Sequence, residues 1–119
     1  MPKVLLVDDS PVVRRVLTTR LAAAGFDVVA EPTADATRAV DLSSVACAVV
    51  DIELPDASGA DLAGELLRRR SSLPVAFFTA GASEAVMARA RAHGPVFAKP
   101  DVEPLMAWIA SSAQPPPTK

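Results

Sequence analysis

Five short apolar runs, each followed by a stretch of helical spacing, constrain this chain more than any other feature. Residues 4–7, 46–50 and 75–78 are unbroken apolar runs, and 28–30 and 96–98 are weaker versions. Runs of this length without polar alternation suggest strands buried on both faces, as in a parallel sheet; length and flanking proline and glycine favour strands over buried helix pieces. Between them the spacing predicts helices over 11–24, 34–41, 58–70, 83–93 and 103–112. The order β-α, repeated five times, is that of a doubly wound α/β domain with a five-stranded parallel sheet.

Local signals agree with these boundaries. Helix 11–24 carries apolar Val12, Val13, Val16, Leu17 and Leu21, with Arg14, Arg15, Thr18 and Arg20 elsewhere around the wheel. Ser10 suits its N-cap, Pro11 its first position and Gly25 its stop. Ser58 followed by Asp61 has capping-box spacing. None of the 11 prolines falls mid-helix or mid-strand. Residues 114–119, Gln-Pro-Pro-Pro-Thr-Lys, cannot continue a helix and read as a proline-rich tail or linker stub after a domain spanning 1–113.

Composition narrows the function classes. With 119 residues, half of them apolar, the chain can bury one core without staples. Its 12 basic and 14 acidic residues give a net charge of -2, so no broad basic surface points to direct nucleic-acid binding. A single Cys excludes an intramolecular disulfide and a cysteine metal cluster. No apolar run is long enough to span a bilayer, and the first one stops at two aspartates, unlike a signal peptide. The expectation is a soluble, cytoplasmic, single-domain protein without membrane insertion.

In an open α/β sheet the ligand site lies outside the carboxyl ends of the strands. Strand 1 ends in Asp8-Asp9, strand 3 in Asp51, strand 4 in Thr79, and strand 5 runs into Lys99-Pro100. At roughly 4 Å and an effective dielectric near 20, each close pair of carboxylates repels by about 4 kcal/mol. A hard divalent cation between them offsets this, and oxygen-only ligands suit Mg2+, or Mn2+, rather than zinc. Asp51 can then serve as a nucleophile. A free Asp has a pKa of about 3.9, so it is ionised at neutral pH and needs no base. The metal, Thr79 and Lys99 would stabilise charge on phosphoryl oxygens, the electrostatic work of phosphoryl transfer.

These residues resemble those of two-component response-regulator receiver domains. The matching pieces are Val7-Asp8-Asp9-Ser10, Asp51-Ile52-Glu53-Leu54-Pro55 with Gly59, Thr79-Ala80 and Lys99-Pro100, and the resemblance covers residues 3 to about 112. It implies a single-domain, chemotaxis-receiver-like, flavodoxin-like (β/α)5 fold with strand order 2-1-3-4-5. It implies Asp51 as phosphoacceptor in a phosphorelay. Asp9 and Asp51 would be direct metal ligands, with Asp8 acting mainly through water and the Glu53 backbone carbonyl as a further ligand. Thr79 would bond the phosphoryl group and report it to helix 83–93. Lys99 would pair with that group, before a cis bond to Pro100. The donor would be a histidine kinase or histidine phosphotransferase docking near Pro11, Arg14, Arg15 and Thr18. The output would be a downstream protein target, and the chain a monomer or weak homodimer.

Receivers usually carry Tyr or Phe three residues before the Lys. Here Val96 stands there and Phe97 follows, on the other face of a strand. Either the aromatic is absent, or the short His93-Gly94-Pro95 turn shifts the register.

Other residues have structural readings. Cys47 reads as packing, His93 as a helix C-terminal residue, and Arg68-Arg69-Arg70 as a solvated, dipole-complementing helix end. Leu105, Trp108 and Ile109 share a core face. Two rivals remain. One is an aspartyl phosphohydrolase, opposed by Glu53 where such enzymes carry a second Asp and by the absence of a cap domain. The other is a phosphorylation-independent protein-interaction module with the same fold.

Overall fold

The computed structural model describes residues 1–113; the proline-rich segment 114–119 lies outside the described residues. Strands β1 (Lys3–Val7), β2 (Asp27–Glu31), β3 (Val45–Val50), β4 (Val75–Thr79) and β5 (Val96–Ala98) alternate with helices α1 (Pro11–Ala23), α2 (Gly59–Arg69), α3 (Glu84–Arg91) and α4 (Val102–Ser112). All strand pairs are parallel and the sheet order is β2-β1-β3-β4-β5. This is the doubly wound arrangement expected from the runs and their order.

The two-residue period of the strands splits the core into two layers. Leu5, Val7, Ala48, Val50 and Phe77 face α2, with Leu62 and Leu66 packed against them. Val4, Leu6, Cys47, Val49, Ala76 and Phe78 face α1 and α4, meeting Leu17, Leu21, Leu105 and Ile109. Burying each of these leucines stabilises the fold by about 1.5–3 kcal/mol. Trp108 is half-buried, its ring centroid 6.5 Å from that of Phe97.

The caps follow the sequence. Ser10 Oγ accepts from the Val13 N–H at 3.3 Å, and Ser58 Oγ from the Asp61 N–H at 3.1 Å. Gly25 follows α1 with φ of 94°, a left-handed conformation that favours glycine.

One predicted helix is not α-helical. Residues 34–41 form a 3-10 turn at Asp35–Ala39, and a second follows at Leu42–Ser44. Local side chains compete for the backbone there. Thr33 Oγ1 accepts from the Ala36 N–H at 3.2 Å, and the Thr37 hydroxyl donates to the Ala34 carbonyl at 2.6 Å. Two arginines at the end of α2 add donors to carbonyls of this segment, those of Thr37 and Leu42 already accepting from the Val40 and Val45 N–H groups. Arg69 donates to those of Thr37 and Val40, and Arg70 to those of Leu42 and Val45. Arg68 and Arg69 are exposed, as a solvated end requires, but Arg69 and Arg70 also clamp the irregular segment to α2, which that reading does not include.

The α1 stripe also differs from its reading. Leu17 and Leu21 are buried, but Val12 and Val16 are 67% and 44% exposed. The sheet and α4 cover only part of the apolar face. Among the described residues, no helix is long and apolar enough to cross a membrane.

Candidate functional site

The sheet ladder delivers the candidate residues to one edge. Val7 and Val50 are register partners, and the Asp51 N–H continues the ladder onto the Val7 carbonyl at 2.9 Å. Asp8 and Asp51 therefore leave neighbouring strands together. On the other side the Lys99 N–H donates to the Thr79 carbonyl at 2.8 Å. The Lys99-Pro100 peptide is cis.

Asp8, Asp9 and Asp51 each place a carboxylate oxygen within 4.8 Å of the others. Asp8 and Asp51 are buried, and Asp9 is exposed. Lys99 Nζ lies 2.9 Å from Asp8 Oδ2 and 3.1 Å from Asp51 Oδ2. The remaining oxygens are also held. Asp8 Oδ1 accepts from the Ser10 N–H at 2.9 Å, and Asp51 Oδ1 from the Glu53 N–H at 3.3 Å. Thr79 is buried, and its hydroxyl accepts from the Gly81 N–H at 3.3 Å.

Electrostatics follow from this packing. Burial pushes the Asp51 carboxyl above its ordinary value. The hydrogen bond and charge of Lys99 pull it down without reversing the shift, and Asp8 adds to the rise. Burial alone would lower Lys99, but its bonds to Asp8 and Asp51 outweigh that and hold the ammonium above its usual value. Three carboxylates against one ammonium leave two negative charges uncompensated. A doubly charged cation with a taste for oxygen matches both the charge and the donor set, so the residues present fit Mg2+.

The sequence marks Gly59 only through the family resemblance and does not single out Asp56. Gly59 packs directly on the backbone of Asp51 and Ile52, and its N–H donates to the Ile52 carbonyl at 2.6 Å. Asp56 reaches from the loop after Asp51 to accept from the Ala34 and Asp35 N–H groups at 3.0 and 2.9 Å. Those bonds hold its carboxyl below the usual range. For Asp56 the sequence signal is the turn chemistry of residues 55–59 alone.

The docking candidates lie on α1. Pro11 and Arg15 are exposed and Thr18 is half-buried. Arg14 turns toward the β1–α1 connection, its Nη1 donating to the Asp8 carbonyl at 2.7 Å. Beside them opens an apolar groove of about 160 Å³, lined by Val12, Val13, Val16, Phe78, Pro100 and Val102 and reaching Lys99.

The register question at β5 has a definite answer. Val96 pairs with Phe77 and Phe97 with Phe78. Val96 packs on the α2–α3 side, and Phe97 on the α1–α4 side. No ring occupies the position three residues before Lys99.

Known proteins share these features. The chain is 40% identical over 90 residues to the DNA-binding transcriptional activator DevR/DosR of Mycobacterium tuberculosis, covering 73% of this chain and 42% of that protein. It is 35% identical over 79 residues to the probable transcriptional regulator ycf27 of Cyanophora paradoxa, covering 66% of this chain and 33% of that one. The chain thus spans less than half the length of these curated relatives. Among solved structures, the non-phosphorylated HemR receiver domain from Leptospira biflexa aligns over all of both chains with a TM-score of 0.84 and 27% identity. The response regulator TrrA from Thermotoga maritima, solved with Mg2+ and BeF, aligns over 93% of this chain and 98% of its own, with a TM-score of 0.83 and 22% identity; at that level it shares the fold. The model of the response regulator receiver domain family matches residues 4–105. Sheet order, strand-end residues and family match agree, and the chain belongs to the response regulator receiver domains, the signalling domains of two-component systems.

Proposed function

We propose that this chain is a phosphorylation-dependent switch whose acceptor is Asp51, in a receiver unit spanning 1–113. The observation that carries the reading is Lys99 Nζ bridging Asp51 and Asp8 beside a third carboxylate, Asp9. A histidine kinase or histidine phosphotransferase would supply the phosphoryl group. One Asp51 oxygen forms the bond to phosphorus as the phosphorus–nitrogen bond of the donor's phosphohistidine breaks, and the ring nitrogen keeps the electron pair. Mg2+, or Mn2+, held by Asp9, Asp51 and the Glu53 carbonyl with Asp8 acting through water, would supply charge neutralisation on the phosphoryl oxygens. Lys99, freed from its carboxylates, would pair with the new phosphoryl group, and the Thr79 hydroxyl would bond it. A shift from 1:99 to 99:1 between two conformations requires about 5.5 kcal/mol of differential stabilisation, and these contacts would supply much of it. The altered surface would then bind a downstream protein in the cytoplasm.

Donor docking falls on α1, through Pro11, Arg15 and Thr18, with the exposed Val12 and Val16 adding apolar surface beside the site.

Intact mass after incubation with acetyl phosphate and Mg2+ tests the reading. It expects a gain of one phosphoryl group in the wild-type chain, absent in Asp51→Asn and without the metal. A second reading, a phosphorylation-independent interaction module, is favoured by Val96 in place of the usual ring. No mass gain, together with partner binding indifferent to Asp51→Asn, would establish that second reading.

A further inference from the structure

Arg14 is separated from Asp8 by six positions in sequence, yet its Nη1 donates to the Asp8 backbone carbonyl at 2.7 Å. That carbonyl belongs to the peptide plane that continues into Asp9, and the plane is rigid. Holding the Asp8 oxygen therefore fixes the direction in which the Asp9 Cα leaves the strand. The Asp8 side chain has its own anchors, the Ser10 N–H and Lys99. Asp9 is the exposed member of the three carboxylates. A partly buried guanidinium fork one turn into α1 is well suited to orient it, because its geometry is rigid.

We propose that Arg14 is a positioning residue for the divalent cation, acting on Asp9 through the Asp8–Asp9 peptide rather than as a donor-docking contact. The proposal rests on the metal-assisted reading above. Two effects of Arg14 oppose each other. Its positive charge disfavours a cation nearby, and its hydrogen bond orders a ligand. The charge is only half-buried, so solvent screening weakens it, whereas loss of a group that orients a metal ligand typically weakens affinity by about 10–100-fold. Ordering therefore wins, and removing Arg14 weakens the metal site even though it removes a positive charge.

Calorimetric titration with Mg2+ alone separates the possibilities, with Arg20→Met on the same helix as a control for lost charge. Arg14→Met should bind Mg2+ about tenfold more weakly than wild type. Arg14→Lys should fall between the two, because an ammonium reaches the carbonyl without the fork. Arg20→Met should bind as wild type does. Thermal melts in chelator report whether each variant is folded. Mg2+ binding by Arg14→Met equal to or tighter than wild type overturns the proposal. If that variant does not fold, wild-type affinity in Arg14→Lys overturns it. A wild-type chain that binds no Mg2+ overturns the metal-assisted reading and this proposal with it, an outcome distinct from tight binding in every variant.

Discussion

Gly59 lies so close to the carbonyl of Asp51 that a β-carbon on it would overlap that oxygen. The first residue of α2 is thereby pressed against the backbone of Asp51, the proposed acceptor. Gly59→Ala forces a backbone shift at both places. Overpacking of this kind costs about 1–3 kcal/mol, so the urea midpoint should fall. Acetyl phosphate labelling of the folded variant should slow as well, because the displaced atoms belong to Asp51. An unchanged midpoint would show that the loop yields freely.

Asp51 is held in a setting that opposes its charge. With its folded pKa raised by burial, the folded chain keeps this proton to higher pH than the unfolded one. The contribution of this group to stability therefore falls as pH rises from about 3.9 through the folded value. At neutral pH in chelator, Asp51→Asn removes the opposed charge and should raise stability by on the order of 1 kcal/mol. Denaturant unfolding at pH 7 checks this, and a variant less stable than wild type contradicts it.

Metal binding to the folded chain should raise its melting temperature. At a hundredfold excess over Kd the stabilisation is about 2.7 kcal/mol. Asp9→Ala should lose most of this response. Because Asp9 is exposed, the variant should melt in chelator within about 0.5 kcal/mol of wild type. Differential scanning calorimetry with and without Mg2+ distinguishes the two effects, and a full metal response in Asp9→Ala removes it from the ligand set.

Arg70→Met strips donors from the Leu42 and Val45 carbonyls. The expected loss is about 1–3 kcal/mol, with faster amide exchange concentrated in residues 35–45. Exchange raised evenly over the chain would instead mean that the clamp has no local role.

Most of the site is legible in the sequence because each of its parts ends a strand. Asp8, Asp51 and Thr79 follow apolar runs that any reading of the chain finds, and the parallel ladder turns sequence ends into a shared edge. The irregular segment 34–41 is not legible in that way. Its helical spacing is real, but Thr33 and Thr37 divert the local backbone bonds, and the arginines that take its carbonyls stand about thirty positions away. The same holds for α1. Periodicity identifies an apolar stripe, but where cover ends and Val12 and Val16 emerge depends on the packing of elements remote in sequence. Arg14 reads as one more charged helix residue until the fold brings the Asp8 carbonyl beneath it.

The bridge from Lys99 to Asp8 and Asp51 joins three strand ends that are not all neighbours. β5 has three residues and one ladder partner, so few hydrogen bonds fasten this margin of the sheet. The ammonium is a guy-line from that margin to the centre. A change of charge at Asp51 alters its pull on Lys99, so β5 is coupled to Asp51 through a side chain as well as through its neighbouring strand. With Val96 rather than a ring on the α3 side, the Lys99 ammonium is a side-chain link between this margin of the sheet and Asp51.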